Sequence, residues 1–148
     1  MISTSNKFLA LTFIVAAIFI SCHDSALQPE TTAKIYQAGK CNGTALFKSA
    51  QDDSCFVYSF SNVLTIDFCV NGNCCPDSNR FTSSYTLNNN EITIKVKDTA
   101  PNLCKCMCRY TIHSEFNDLK LESYRVICIS ETNDENKVLY SKLVQRKL

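Results

Sequence analysis

From about residue 34 onward, apolar and polar residues alternate in short runs that are separated by turn-forming residues. The run EITIKVK at residues 91–97 alternates strictly, which predicts a strand with Ile92, Ile94 and Val96 on its inner face. The run Asn88-Asn89-Asn90 precedes it and predicts a hairpin turn to a strand at residues 81–87, since Asn tolerates the left-handed backbone conformation. The run VLTIDFCV at residues 63–70 predicts another strand, one face of which carries Leu64, Ile66, Phe68 and Val70.

The same pattern predicts further strands at residues 55–60, 104–116, 124–130 and 138–144. A turn is expected at Asn71-Gly72, and the basic C-terminal residues QRKL are expected to fray. About seven short strands spaced by roughly ten residues, with no convincing helix between them, are typical of a sandwich. We therefore predict an all-β, Ig-like sandwich of two antiparallel sheets that is stapled by disulfides.

The N-terminus carries an apolar run of 13 residues, FLALTFIVAAIFI, directly after Lys7. A membrane-spanning helix needs roughly 20 such residues, so this shorter run matches a secretory signal. The run ends in Phe19-Ile20-Ser21-Cys22, which resembles the lipobox of bacterial lipoproteins. We predict a lipoprotein signal peptide over residues 1–21 and lipidation of Cys22. The alternative is an ordinary signal peptide that leaves Cys22 as a plain thiol.

The segment after the leader is polar and aperiodic, which is typical of a tether. We assign residues 22–33 to the lipidated Cys22 and this tether, and residues 34–148 to the Cys-rich sandwich domain. Two or three acyl chains on Cys22 would anchor the protein firmly in a membrane. We therefore expect it in the bacterial cell envelope, at the periplasmic or surface face of the outer membrane. The alternative is a secreted protein.

Composition and charge argue against several classes of function. The chain has 15 Lys and Arg against 14 Asp and Glu, and removal of Lys7 with the leader leaves 14 of each. A neutral chain lacks the basic field that attracts nucleic acid, so we predict no nucleic-acid partner. His113 is interpreted as a surface residue on the strand face opposite the 104–108 thiols, and Asp52-Asp53 and Asp134-Glu135 as solvated loops. We predict neither enzymatic activity nor a cofactor.

The chain contains ten cysteines, and an exported chain matures in an oxidising compartment, which makes disulfides the first interpretation. If Cys22 is lipidated, an odd number of candidates remains, and at least one thiol is free. Cys41 and Cys55 flank a polar loop and form the natural local pair, worth roughly 3 kcal/mol in the chain-entropy model. The disulfide candidates are Cys41, Cys55, Cys69, Cys74, Cys75, Cys104, Cys106, Cys108 and Cys128.

The CxCxC run at residues 104–108 has restricted pairing choices. Residues i and i+2 of an extended strand lie roughly 6.5–7 Å apart, which is at the limit for a disulfide. The expected partners therefore lie elsewhere, among Cys69, Cys74, Cys75 and Cys128. Three alternatives remain for these sulfurs. They are buried free thiols, a thiolate site for Zn²⁺ or Cu⁺, and a thiol–disulfide redox function. The metal alternative uses Cys74, Cys75, Cys104, Cys106 and Cys108.

Three elements occur in a fixed order in this chain: VLTIDFCVNGNCC, YTLNNNEITIKVKD and NLCKCMCRYTIHSEFNDL. In this respect the chain resembles small Cys-rich predicted lipoproteins of Bacteroidetes-like bacteria, in which a CC pair, a hairpin and a CxCxC segment follow one another. The resemblance implies a secreted or lipid-anchored β-sandwich and no particular reaction. We therefore predict a structural or binding module whose protein or small-molecule ligand is unknown, attached to the membrane through its N-terminal lipid.

Overall fold

A computed structural model describes residues 31–41, 53–132 and 135–147. Apart from one 3-10 turn at Asp53–Cys55, the regular structure of these residues consists of β-strands. Eight strands follow one another along the described chain: β1 (Ala33–Ala38), β2 (Val57–Phe60), β3 (Leu64–Asn73), β4 (Phe81–Asn88), β5 (Glu91–Asp98), β6 (Met107–Phe116), β7 (Ser123–Glu131) and β8 (Asn136–Gln145). Within these residues, no helix has the length and apolar character needed to span a membrane.

The strands form two four-stranded sheets, in the orders β1-β6-β3-β2 and β4-β5-β7-β8. The predicted all-β sandwich is confirmed, with eight strands among the described residues where about seven were predicted. All neighbouring strands are antiparallel except β5 and β7, which run parallel. The predicted hairpin is present, because β4 and β5 pair from Phe81 opposite Asp98 to Asn88 opposite Glu91, and Asn89 has a φ of 54°.

The core lies between the inner faces of the two sheets. Alternation decides which side chains enter it, since successive residues of a strand point to opposite faces. The inner residues predicted for β3 and β5 are all buried: Leu64, Ile66, Phe68, Val70, Ile92, Ile94 and Val96. Edge-on aromatic pairs link the sheets, with ring centroids 5.3 Å apart for Phe81 and Tyr110 and 5.4 Å apart for Tyr85 and Phe116.

The expected turn at Asn71-Gly72 is wrong, because β3 continues through Gly72 to Asn73. Gly72 is paired with Cys108 on β6. A Cβ atom at this position would lie 3.0 Å from Oδ2 of Asp98 and 3.2 Å from Nε of Arg80. The glycine therefore leaves room for the Arg80–Asp98 ion pair that crosses over this strand, and a side chain here would press on that pair.

The two ends of the sandwich differ. At one end, β1 and β3 begin opposite the end of β6, where Ala33 and Leu64 both pair with Phe116. We call this the tether end, because the segment predicted to be a tether precedes β1. At the disulfide end, β3 ends and β6 begins, with Asn73 opposite Met107. All residues of the CC and CxCxC motifs lie at or next to the disulfide end.

The expected fraying of the C-terminal residues is wrong for the part that the structure describes. The amide of Arg146 donates to the carbonyl of Glu122 at 2.8 Å, and the amide of Lys147 donates to the carbonyl of Phe60 at 2.8 Å. The guanidinium of Arg146 also lies 4.3 Å from the ring centroid of Phe60 and donates to the carbonyl of Leu119 at 2.7 Å. The first and the last described strands of the chain therefore have their outer termini at the tether end.

Candidate functional site

Eight of the predicted disulfide candidates form four pairs: Cys41–Cys108, Cys55–Cys69, Cys74–Cys106 and Cys75–Cys104. The expected local pair of Cys41 with Cys55 is wrong. Cys41 lies three residues beyond Ala38, and Cys108 lies three residues before Thr111, which is the register partner of Ala38. The Cys41–Cys108 bridge therefore extends the antiparallel register of β1 and β6, with Cα atoms 5.7 Å apart.

Two neighbouring disulfides, Cys74–Cys106 and Cys75–Cys104, form what we call the disulfide cluster. Cys74 directly follows the last residue of β3, and Cys106 directly precedes the first residue of β6. Their bridge therefore continues the β3–β6 register by one position. The predicted strand over residues 104–116 begins later, at Met107. The segment before it instead follows Cys75, and the amide of Leu103 donates to the carbonyl of Cys75 at 3.2 Å.

The side chain of Asn73 fastens the disulfide cluster to the end of β3. Its Oδ1 accepts hydrogen bonds from the amides of Cys75, at 2.9 Å, and Cys104, at 3.3 Å. Its Nδ2 donates to the carbonyl of Cys104. The backbone carbonyl of Asn73 accepts the hydroxyl hydrogen of Tyr110 at 2.7 Å, and burial raises the pKa of this Tyr110 hydroxyl. The side chain of Asn73 is buried, and its bonds to Cys75 and Cys104 are partly buried.

A fully buried guanidinium supports the cluster from the inside. Nη2 of Arg80 lies 2.7 Å from Oδ2 of Asp98, and Nη1 donates to the carbonyl of Pro76 at 3.0 Å. Nη2 also donates to Oδ1 of Asn102 at 3.2 Å. The charge of Arg80 is therefore neutralised by Asp98 while its other donors hold the two segments that carry the disulfide cluster.

Cys128 is the free cysteine of the described residues, and it lies buried on β7. Burial strongly raises the pKa of its thiol because the apolar core disfavours the thiolate. It faces the core and lies in neither the disulfide cluster nor any other cysteine pair. Cys22 apart, the chain has an odd number of cysteines, so at least one of them has no disulfide partner among the rest. In the structure this free thiol is Cys128, in an unreactive position.

The predicted set of metal ligands comes together only in part. The Sγ atoms of Cys74, Cys75 and Cys106 all lie within 4.8 Å of one another. Cys104 is outside this group, and Cys108 is buried and bonded to Cys41. The predicted lipidation site Cys22, residue Asp52 and residue Asp134 lie outside the described residues.

A cavity of about 130 Å³ opens at the disulfide end, beside the Cys55–Cys69 bridge. Two cross-strand pairs contribute to its wall. Asn71 and Arg109 are register partners in one sheet, and Ser130 and Lys137 are register partners in the other. The complete lining consists of Cys55, Cys69, Asn71, Arg109, Ser130, Thr132, Lys137, Leu139 and Tyr140.

The charge lining this cavity is positive in the part of the chain that the structure describes. No carboxylate of those residues forms an ion pair with Arg109 or Lys137. Of the acidic groups near the cavity along the chain, Glu131 pairs with Lys95 at 3.2 Å and Asp67 with His113 at 2.7 Å. Glu135, two residues before Lys137, forms no ion pair with a described residue. Sequence reasoning did not find this site, because its residues come from four strands, one 3-10 turn and the loop after β7.

His113 lies on the outer face of β6, opposite the inner-facing Cys108, as predicted. It is more constrained than a solvated surface histidine. Its Nδ1 lies 2.7 Å from Oδ1 of Asp67, and its Nε2 lies 3.1 Å from Oε1 of Glu115. The ring of Tyr36 on β1 packs against it at a centroid distance of 5.2 Å. This arrangement holds the imidazole between two carboxylates and leaves neither ring nitrogen open to a substrate.

Comparison with protein-family models, curated proteins and solved structures finds no match to this chain. Its function therefore has to be argued from its own geometry. The features that bear on function are the disulfide cluster and the cationic cavity, and both lie at the disulfide end.

Proposed function

We propose that this protein is a lipid-anchored binding module of the bacterial cell envelope that holds a ligand without transforming it. The observation that carries the proposal is the separation of the two ends. Ala33, the first residue of β1, lies at the tether end, whereas the cavity and all four disulfides lie towards the opposite end. A segment that carries a lipid on Cys22 would therefore join the domain at the end remote from the cavity.

Two further features support the proposal. Four disulfides among the described residues are typical of a chain that matures outside the reducing cytosol. The cavity also fits binding better than catalysis, because its lining contains cations, an amide and hydroxyls but no His or carboxylate. Covalent cross-links beside the cavity limit its rearrangement, which lowers the entropic cost of binding.

Anchoring is tested on the mature protein from bacterial membranes. We expect intact mass spectrometry to show a diacylglyceryl or triacyl increment on Cys22, and the protein to enter the detergent phase. The matched variant Cys22→Ser should move to the aqueous phase and retain four disulfides. An unacylated wild-type protein in the aqueous phase would refute the anchor.

Binding is tested with benzyl alcohol, a neutral probe of suitable size, since an engineered apolar cavity of about 150 Å³ accepts benzene. We expect saturable amide shifts in nuclear magnetic resonance spectra at Cys69, Leu139 and Tyr140. The substitution Leu139→Phe should fill the cavity and weaken these shifts, whereas Leu87→Phe, on an exposed position of β4, should not. If neither this probe nor an anion binds, the module has no site here.

A second candidate function is a thiolate metal site, favoured by the three sulfurs that lie within 4.8 Å of one another. In the described structure Cys74, Cys75 and Cys106 are bonded in disulfides, so they become ligands only after a dithiol has reduced those bonds. Three thiolates at this spacing suit Zn²⁺ or Cu⁺, which prefer soft sulfur ligands.

The metal candidate is tested by reducing the protein anaerobically, adding Zn²⁺ and measuring the zinc retained per chain. About one ion per chain is expected, with loss in Cys106→Ser and retention in the control Cys108→Ser. Equal retention in both variants would exclude the site. Reduction with glutathione tests a redox function. That function requires glutathione to open the disulfide cluster before the other two bridges. Uniform resistance of all four bridges would exclude that function.

A further inference from the structure

We infer that the cavity at the disulfide end recognises an oxoanion group, such as a carboxylate, phosphate or sulfate at the end of a larger ligand. This inference rests on the proposed binding function and adds the chemical class of the ligand. Three properties of the cavity support it: the pairing of its polar residues, its net charge and its size.

Each sheet contributes one cation that has a neutral hydrogen-bonding side chain directly opposite it. Asn71 is directly opposite Arg109 on β3 and β6, and Ser130 is directly opposite Lys137 on β7 and β8. Directly opposed residues of an antiparallel pair have Cβ atoms roughly 4.5–5.5 Å apart, so each cation has a neutral donor beside it. An oxoanion with several acceptor oxygens can bind both pairs at once. A neutral or cationic ligand would leave the two charges uncompensated.

The local charges favour the same class of ligand. Neither Arg109 nor Lys137 is ion-paired with any described residue, so a bound anion would not have to displace a carboxylate. Thr132 also lines the cavity, but its hydroxyl is already used, since it donates to the carbonyl of Glu135 at 2.7 Å. The donors assigned to the anion are therefore the guanidinium, the ammonium, the amide of Asn71 and the hydroxyl of Ser130.

The size of the cavity limits how much of the ligand it can hold. About 130 Å³ accommodates a single small group, because cavities that enclose a drug-sized molecule measure roughly 300–1,000 Å³. The Cys55–Cys69 bridge and the side chain of Leu139 form the apolar part of the wall. The rest of the ligand would extend out of the cavity at the disulfide end.

The inference is tested by titrating the mature chain in detergent with inorganic phosphate, sulfate and acetate, with chloride as the ionic-strength control. We expect saturable amide shifts at Asn71, Arg109, Ser130 and Lys137, with a Kd on the order of millimolar for such small probes. The three anions separate phosphate, sulfate and carboxylate chemistry by their relative affinity. Arg109→Gln and Lys137→Gln should each weaken binding about tenfold or more.

The control variant is Arg125→Gln, which removes an exposed cation from the same sheet as Lys137 and should change the Kd by less than about twofold. Equal loss in all three variants, or equal shifts with chloride, would overturn the inference in favour of general charge screening. Binding of benzyl alcohol without binding of any anion would overturn the inference and leave the binding function standing. Unchanged unfolding midpoints show that the variants remain folded.

Discussion

Oδ1 of Asp67 on β3 lies 2.7 Å from Nδ1 of His113, its register partner on β6. The other ring nitrogen, Nε2, lies 3.1 Å from Oε1 of Glu115. A neutral imidazole has one N–H donor, whereas the imidazolium has two, so only the charged form donates to both carboxylates. The outer face of this sheet therefore contains a charge-dependent clamp between β3 and β6.

This clamp should make stability depend on pH. Burial alone lowers the pKa of His113, but the hydrogen bonds and charges of Asp67 and Glu115 outweigh it and raise that pKa above 6.5. The folded state therefore binds the proton more tightly than the unfolded state does. The resulting stabilisation is fully present below about pH 6.5 and is lost as the pH rises through the higher pKa of the folded state.

The measurement is urea unfolding of the wild type and His113→Gln across this range. The free energy of unfolding of the wild type should exceed that of the variant at about pH 6, and the difference should shrink by about pH 8.5. Subtracting the variant removes the contribution of other titrating groups. A difference that grows with rising pH would contradict the clamp.

The number of reactive thiols should report on both Cys128 and Cys22. Cys128 is buried, so its thiol should not react with a thiol reagent in the native protein. After denaturation without reductant, one thiol per chain is expected if Cys22 is lipidated, and two if Cys22 is free. Mass spectrometry after alkylation makes the count, with Cys128→Ala as the control that should lose one. Reaction of Cys128 in the native state would contradict its burial.

The ion pair of Arg80 and Asp98 should be needed for folding stability. Asp98→Asn removes the charge that neutralises a fully buried guanidinium, which should lower the free energy of unfolding by about 3 kcal/mol. The matched control is Asp77→Asn, because the carboxylate of Asp77 forms no ion pair with the described residues. Chemical unfolding measures both variants.

The double variant Arg80→Met with Asp98→Asn distinguishes the charge from the shape of this pair. Removing both charges should recover part of the stability lost in Asp98→Asn, since no uncompensated charge then remains buried. Equal costs for Asp98→Asn and Asp77→Asn would show that Asp98 does not neutralise Arg80.

Asn73 should control access to the disulfide cluster. Asn73→Ala removes a donor and an acceptor that bind the backbone of Cys75 and Cys104, which should cost about 2 kcal/mol of stability. It should also speed the reduction of Cys75–Cys104 by glutathione more than that of Cys55–Cys69. Differential alkylation and mass spectrometry measure both rates.

The control for this prediction is Asn71→Ala, which changes the same residue type two positions away on β3, where the side chain is exposed. It should leave the rate of reduction of Cys75–Cys104 unchanged. Faster reduction in Asn71→Ala as well would show that the effect is a general weakening of the β3 end. In that case Asn73 would have no particular role at the cluster.

Local periodicity was sufficient for the central strands but not for β1. In β3 and β5 the alternation of side chains identified the buried face, because those strands have one face in the core and one face outside. The segment AKIYQA of β1 lies at a sheet edge and is only partly buried, so its pattern is weak. Unless β1 is recognised, the register that places Cys41 opposite Cys108 cannot be derived. Sequence spacing then favours the local pair of Cys41 with Cys55.

The remaining differences arise from contacts between distant residues. Gly72 has the sequence signature of a turn, but in the strand it leaves room for the side chains of Asp98 and Arg80, which only the fold brings close. Arg109 and Lys137 show no motif along the chain and line the same cavity only because β6 and β8 both begin there. Sequence spacing carries no information on such contacts between distant residues, which depend on how the two sheets pack on each other.

The Cys41–Cys108 bridge also determines what a protease could do to this protein. A cut at any peptide bond between Cys41 and Cys108 leaves the two fragments covalently joined through that bridge, and the other three disulfides lie within the same span. A cut after Cys108 would separate a fragment whose one cysteine, Cys128, is free. Nicking by a protease would therefore be tolerated over the first part of the domain, whereas β7 and β8 are retained by hydrogen bonds and packing alone.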